Sequence, residues 1–138
     1  MDGKVTVISL VVTNKARSVD FFTEKVGFDK KTDFTNSEGY RWVTVGPKGQ
    51  ELELALWEVG STVDPSQNEL SKKWSPGRAP PILLQVADCK KAHQAMSARG
   101  VEFVLSPMEH PWGTVATFKD PDGNLFTLTQ LKGGWPKP

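Results

Sequence analysis

The segment TFKDPDGNLFTLTQL, residues Thr117–Leu131, decides the fold of this chain. It predicts a strand, a tight turn and a second strand, because Pro121 and Gly123 stand where a turn needs their backbone angles. Both flanks are rich in Thr, Phe and Leu, and the second flank alternates apolar with polar residues. The segment therefore predicts a β-hairpin.

The same pattern occurs once before in the chain. Trp42–Trp57 has the sequence WVTVGPKGQELELALW, with GPKG at its turn. Pro47 and Pro121 are 74 positions apart, and so are Gly49 and Gly123. This fixed offset indicates that the chain contains one structural unit twice.

Each repeat predicts the order strand, helix and three strands. The apolar and turn patterns of the first repeat predict a strand at Val5–Val12, a helix at Ala16–Val26 and strands at Phe28–Phe34, Tyr40–Val45 and Glu51–Trp57. Those of the second predict a strand at Ile82–Val86, a helix from its cap Asp88 to Arg99, a strand at Val101–Leu105, a loop at Pro107–Gly113 and the hairpin.

The length of 138 residues predicts a single domain, residues 1–138, made of the two repeats. The repeats span about 5–58 and 81–131, and residues 59–80 connect them. This connection is long and lacks a sustained period, so it predicts no regular element. Trp74 lies in it, where it either covers the mouth of a pocket or packs on the edge of a sheet.

Charge and cysteine content exclude several classes of protein. The 17 basic and 16 acidic residues balance, so nothing favours nucleic acid or a membrane surface as a partner. Cys89 is the one cysteine, so no disulfide forms within the chain, as is typical of a reducing compartment. No apolar signal core or membrane-spanning run is visible, and we expect a cytoplasmic protein.

The short motifs of both repeats resemble the vicinal oxygen chelate superfamily. These motifs are SVDFF at 18–22, VGF at 26–28, ARGV at 98–101 and DPDGN at 120–124. The superfamily includes glyoxalase I, the bleomycin resistance proteins, extradiol dioxygenases and the fosfomycin resistance enzymes. The resemblance implies an α+β fold, in which two βαβββ modules curl round a shared cavity, and it implies a homodimer.

The resemblance also implies four positions for metal ligands, one on the first and one on the last strand of each half. These positions hold Val7, Glu53, Pro81 and Thr127. Only Glu53 has a side chain that binds a divalent cation well, whereas a catalytic site needs about three protein ligands. The sequence therefore predicts no metal and no cofactor, which argues against glyoxalase, dioxygenase and thiol-transferase chemistry.

Strand alternation assigns the side chains that face the expected cavity. The side chains predicted to contact a ligand are Val7, Ser9, Trp42, Thr44, Glu53, Trp57, Leu83, Gln85, Trp112, Ala116, Phe118, Leu125 and Thr127. The opposite face should pack on the helices through Val43, Val45, Leu52, Leu54, Phe126 and Leu128. An aromatic groove with a carboxylate suits a flat organic ligand, cationic or neutral. Glu53 has the alternative of a solvated sheet face.

Two residues are candidates for catalysis, Glu53 and His110. His110 lies in the predicted loop HPWG and could transfer a proton near neutral pH, or it could have a structural role in that loop. His93 is interpreted as a surface or half-buried histidine. Cys89 follows the helix cap Asp88 and indicates an inert thiol, because no histidine or second cysteine neighbours it.

These observations predict metal-independent binding of a small aromatic compound, in the manner of the bleomycin resistance proteins. The alternative is a divergent enzyme of the same superfamily, a lyase, isomerase or dioxygenase relative, that uses Glu53 with His110. The expected partners are a small-molecule ligand and a second copy of the chain, with no nucleic acid and no membrane.

Overall fold

The computed structural model of the protein describes residues 1–61 and 73–135. Residues 62–72 of the predicted connection lie outside this range. The chain divides into two units, Met1–Gly77 and Arg78–Pro138, each with its own four-stranded sheet. None of the helices in the described ranges is long and apolar enough to cross a bilayer.

Unit 1 has the predicted order of strand, helix and three strands. Its elements are β1 (Val7–Val12), α1 (Lys15–Asp20), a π-helical segment (Phe21–Val26), β2 (Asp29–Thr35), β3 (Arg41–Gly46) and β4 (Glu53–Glu58). The sheet order is β1-β4-β3-β2, with β1 parallel to β4 and the other neighbours antiparallel. A parallel pair needs a crossover connection, and the helix that follows β1 belongs to it.

The helix predicted at Ala16–Val26 has two parts. Asn14 caps α1, since its side-chain oxygen accepts a hydrogen bond from the backbone N–H of Arg17 at 2.9 Å. The wider π-helical turn then follows, with Phe21 and Phe22 both buried and their rings edge to face at 5.1 Å. Helical spacing alone did not predict that two successive phenylalanines would both be buried.

The apolar core of unit 1 lies between its sheet and this helical pair. Its members include Leu10, Val12, Val19, Phe22, Phe28, Val43, Val45, Leu54 and Leu56. Lys15 is buried at its edge, where Nζ donates to the Arg41 carbonyl at 2.5 Å and lies 4.4 Å from the centroid of the Tyr40 ring. Burial lowers the pKa of Lys15. These contacts join the start of α1 to the start of β3.

Unit 2 repeats the order with a longer second strand. Its elements are β5 (Ile82–Gln85), α2 (Cys89–Ala98), β6 (Glu102–His110), β7 (Gly113–Lys119) and β8 (Leu125–Leu131), in the sheet order β5-β8-β7-β6. The loop predicted at Pro107–Gly113 is wrong, because β6 continues to His110. Pairing with β7 resumes at Met108 after an irregular stretch that contains Pro107, which has no N–H to donate.

Both predicted hairpin turns are confirmed by their glycines. Gly49 has a φ of 75° and Gly123 a φ of 84°. In the second turn the buried Asp120 carboxylate accepts hydrogen bonds from the backbone N–H groups of Asp122 and Asn124 and from the Asn124 side chain. Burial raises the pKa of Asp120, and these hydrogen bonds oppose that rise.

The core of unit 2 lies between its sheet and α2. The rings of Phe118 and Phe126 are stacked at 5.2 Å, and Phe103 lies between Phe118 and His93 of α2. Cys89 is fully buried, and burial raises the pKa of its thiol. A thiol in that state is a poor nucleophile at neutral pH, which agrees with the prediction of an inert cysteine.

Candidate functional site

Six predicted ligand contacts share one face of the unit 1 sheet. Val7 pairs with Glu53, and Thr44 pairs with Ala55, so these side chains project to the side opposite α1. We call this side the helix-free face of unit 1. Its residues include Val7, Ser9, Val11, Thr32, Phe34, Trp42, Thr44, Glu53, Ala55 and Trp57. The face assignments predicted for Val7, Ser9, Trp42, Thr44, Glu53 and Trp57 therefore agree with the strand pairing.

Glu53 is held in place by hydroxyl groups from two neighbouring strands. Its Oε1 accepts a hydrogen bond from the Thr32 hydroxyl at 3.0 Å and a second, short one from the Thr44 hydroxyl. Thr44 is fully buried and Glu53 is half-buried. Within residues 1–61 and 73–135, Oε2 accepts no hydrogen bond. The carboxylate is therefore oriented through one oxygen and can accept from a ligand through the other.

Thr32 was not predicted as a site residue. It reaches Glu53 because β2 shifts its register between Lys30 and Thr32, which places Thr32 opposite Thr44. Thr32 and Phe34 are two residues apart on one strand and therefore share a face, but only the pairing with β3 shows which face it is.

Aromatic rings gather near the end of β4. The rings of Trp57 and Trp74 are perpendicular, with centroids 4.8 Å apart. Phe34 pairs with Trp42 on the same face, across β2 and β3. Trp74 therefore contacts the helix-free face through the ring of Trp57. The face thus has a carboxylate toward one end of β4 and indole rings toward the other.

On the corresponding face of unit 2, a pair of hydroxyl groups lies where unit 1 has Glu53. Leu83 pairs with Thr127, and Lys119 with Leu125, so Leu83, Gln85, Leu125 and Thr127 share the side opposite α2, as predicted. The hydroxyl oxygens of Thr117 and Thr127 are 2.9 Å apart. A neutral hydroxyl pair therefore stands at the position that Glu53 has in unit 1.

The prediction that Ala116 and Phe118 face the ligand is wrong. Ala116 pairs with Leu128 and Phe118 with Phe126, which places all four on the side packed against α2. Ala116 and Phe118 are also fully buried there. Since neighbouring strand residues project to opposite faces, an error of one residue in the pairing exchanges the faces of a whole strand.

Trp112 and His110 lie at the turn between β6 and β7. Their rings are parallel and stacked, with centroids 4.9 Å apart, and Trp112 is half exposed. His110 borders an open depression of about 470 Å³ whose other lining residues include Glu109, Thr114, Gln130 and Lys132. The stacked pair favours the structural role for His110. Trp112 and Phe118 both belong to unit 2, where Phe118 packs on the side of α2.

The four positions at which the resemblance implies metal ligands do not supply a metal site. Val7 has no donor atom, Pro81 has only its carbonyl, and the Thr127 hydroxyl is occupied by Thr117. No group of three or more His, Cys, Asp or Glu side chains in the described ranges is placed to hold a metal ion. This donor set does not fit the metal of the superfamily, and we derive no chemistry through one.

Comparison with known proteins identifies the family. The model of the Glyoxalase/Bleomycin resistance protein/Dioxygenase superfamily matches residues 4–128. YetH of Bacillus subtilis strain 168 is 30% identical over 130 residues, which cover 94% of this chain and 100% of YetH.

Two crystal structures are similar over nearly their whole length. UcmS2 is 31% identical, covers 94% of this chain and 98% of its own, and superposes with a TM-score of 0.79. TnmS3, an antibiotic binding protein from Streptomyces sp. CB03234, is 32% identical, covers 94% and 97%, and has a TM-score of 0.74. The chain therefore belongs to the Glyoxalase/Bleomycin resistance protein/Dioxygenase superfamily.

Proposed function

We propose that this protein binds small, flat aromatic amines without a metal and that the helix-free face of unit 1 is the binding surface. The observation that carries the proposal is the state of Glu53, a carboxylate oriented by two threonines with one oxygen that accepts no hydrogen bond from the described residues. A protonated amine can donate a charge-assisted hydrogen bond to the second oxygen of such a carboxylate.

The aromatic residues of the same face supply the apolar part of the binding energy. Trp42, Trp57 and Trp74 offer flat rings that can pack against a planar ligand. Such contacts typically contribute about 0.5–1.5 kcal/mol per aromatic pair beyond the area they bury. A positive charge on the ligand adds an attraction to the indole faces.

The relatives support binding as a function of this family. TnmS3 is an antibiotic binding protein, and its similarity to this protein covers 94% of the present chain. Binding also needs no metal ligands, which agrees with the donor set at Val7, Glu53, Pro81 and Thr127. Sequestration of the bound compound is the role that we assign to the protein, and the cytoplasm is the location that we expect.

A titration of two matched compounds tests this proposal. The probes are 2-(aminomethyl)fluorene, which is flat and cationic, and 2-(hydroxymethyl)fluorene, which has the same ring without the charge. We expect calorimetry to show tighter binding of the amine. Glu53→Gln should weaken the amine about tenfold or more, the equivalent of about 1.4 kcal/mol, and should leave the alcohol unchanged.

Glu51→Gln is the matched control. Glu51 lies on the same segment, is exposed, and forms an ion pair with Lys4 at 3.8 Å rather than hydrogen bonds with threonines. It should leave the affinity for the amine unchanged. Equal weakening by Glu51→Gln and Glu53→Gln, or an amine that binds no better than the alcohol, would contradict the role of Glu53.

We also propose that the protein is a homodimer. β6 is an edge strand of its sheet, and it exposes Val104, Leu105 and Met108, with exposed fractions of 46%, 61% and 58%. An apolar edge strand tends to pair with another chain unless it is covered. A second copy of the chain would remove this apolar surface from water.

A further inference from the structure

The indole N–H of Trp57 is buried without a hydrogen-bond acceptor in the described part of the chain. Nε1 is inaccessible to water and has no partner there. Buried tryptophan N–H groups usually have an acceptor, and an unsatisfied buried donor lowers the stability of the fold. The group lies on the helix-free face of unit 1, where the proposed ligand binds.

The neighbouring ring of Trp74 does not remove this cost. Trp57 and Trp74 are perpendicular at 4.8 Å, so the most that Trp74 can offer the N–H is the π face of an indole. An N–H···π contact is weaker than a hydrogen bond to oxygen. An oxygen acceptor that enters the site would therefore replace the N–H···π contact with a stronger hydrogen bond.

We infer that the ligand carries an oxygen, either of a ring carbonyl or of a phenol, that accepts a hydrogen bond from the indole N–H of Trp57. The inference rests on the proposed function and names the ligand class more closely. The ligand is a flat ring system with an amine for Glu53 at one end and an oxygen acceptor toward the other.

The spacing along β4 agrees with a ligand of two or three fused rings. Glu53 and Trp57 are four residues apart on one strand, so their Cα atoms are separated by about 13 Å. Ala55, which has a small side chain, lies between them on the same face. The side chains of Glu53 and Trp57 extend from these Cα atoms toward the ligand. The amine nitrogen and the oxygen acceptor of the ligand therefore need to be closer together than the two Cα atoms are.

A ketone and its hydrocarbon test the inference. The probes are 2-(aminomethyl)-9-fluorenone, which has a ring carbonyl, and 2-(aminomethyl)fluorene, which lacks it. We expect the ketone to bind the wild-type protein about five- to tenfold more tightly in calorimetry. Trp57→Phe, which keeps an aromatic ring without the N–H, should abolish this preference, and Trp42→Phe should retain it.

The outcomes separate this inference from the proposed function. Equal affinities of ketone and hydrocarbon for the wild type would overturn the role of Trp57 and leave amine binding intact. Failure of both amines to bind would overturn both proposals. A ketone preference that survives in Trp57→Phe would also overturn the role of Trp57.

Nuclear magnetic resonance gives a second measurement that does not need the variant. The protein has five tryptophans and therefore five indole N–H signals. Addition of the ketone should move one of these signals downfield, as expected for a new N–H···O bond, and the hydrocarbon should not. Loss of that signal in Trp57→Phe would identify it. If all five signals respond alike to ketone and hydrocarbon, the inference fails.

Discussion

At the residue scale, the orientation of Glu53 depends on the hydroxyl groups of Thr32 and Thr44. Thr44→Val keeps the shape of the side chain and removes one donor to the carboxylate. Since hydrogen bonds to charged groups contribute about 1.5–3 kcal/mol, we expect the free energy of unfolding to fall by about 1–2 kcal/mol. The affinity for 2-(aminomethyl)fluorene should also decrease, because Glu53 loses its orientation. Urea unfolding and calorimetry measure the two effects.

Thr117→Val is the matched control for this prediction. It removes a hydroxyl from the neutral Thr117–Thr127 pair of unit 2, where no carboxylate depends on it. We expect a smaller loss of stability and no change in amine affinity. Similar losses of amine affinity in both variants would show that Thr44 acts through general stability and not through Glu53.

The metal content of the protein is also decided by single residues. Glu53 is the one strong donor among the four positions at which the resemblance implies metal ligands, and one carboxylate does not hold a divalent ion through purification. We expect well under one nickel, zinc, iron or manganese ion per chain in protein purified without chelators, and no glyoxalase activity when these metals are added. About one transition metal per chain in elemental analysis, lost in Glu53→Gln, would favour the enzyme instead.

Acid should weaken one surface network of unit 1. Arg41 and Lys30 donate hydrogen bonds to the Asp33 carboxylate and hold its pKa well below its usual range. Between the pKa values of the folded and unfolded states, the unfolded chain binds a proton that the folded chain does not. The contribution of this network to the free energy of unfolding is therefore present above about pH 4 and is lost as pH falls. Because the group is exposed, solvent screens the effect.

Urea unfolding at several pH values tests this expectation. The stability difference between wild type and Asp33→Asn should be larger at pH 6 than at pH 3, and added salt should reduce the difference at pH 6. A difference that stays constant across this range would show that the charge of Asp33 does not contribute to stability.

At the element scale, the two hairpins share turn chemistry but not strand pairing. Gly49 and Gly123 both adopt positive φ, as the repeated turn motifs predict. The first hairpin, however, pairs Thr44 with Ala55, whereas the second pairs Thr117 with Thr127. The 74-residue offset therefore carries side-chain faces from β4 to β8 but not from β3 to β7, and Phe118 shows the consequence.

The positive φ of Gly123 predicts the cost of replacing it. At φ of 84° a β-branched side chain meets its own backbone, and we expect Gly123→Val to lower the free energy of unfolding by about 1–3 kcal/mol. Thermal or urea unfolding measures this change. A neutral substitution would contradict the account of the turn. Lys48→Val, at an exposed position in the other turn, is a control for the presence of a valine in a turn.

At the scale of the whole molecule, the prediction concerns assembly. The chain has a mass of 15.2 kDa, and the exposed apolar residues of edge strand β6 favour a second copy as their partner. We expect sedimentation equilibrium at micromolar concentration to report about twice the chain mass. Leu105→Glu should shift the equilibrium toward the monomer, because it places a charge on that edge. A wild-type mass near 15.2 kDa would exclude the dimer.

The local sequence is enough to predict the repeated βαβββ order, because strand alternation, helix caps and turn glycines act over a few residues. Asn14, Asp88, Gly49 and Gly123 have the roles that their local sequence predicts. The same local rules placed Glu53 and Trp57 on one face of β4, since both depend only on alternation within that strand.

Features that depend on pairing between strands are visible in the folded protein and not in the local sequence. The register of β7 with β8 moved Ala116 and Phe118 to the helix side, and the shift in β2 brought Thr32 to Glu53. Pairing joins residues that are distant in the sequence, and a change of one residue reverses the faces without changing any local pattern. The contact of Trp74 with Trp57 is of the same kind, because nothing in the sequence around Trp74 specifies the ring against which it packs.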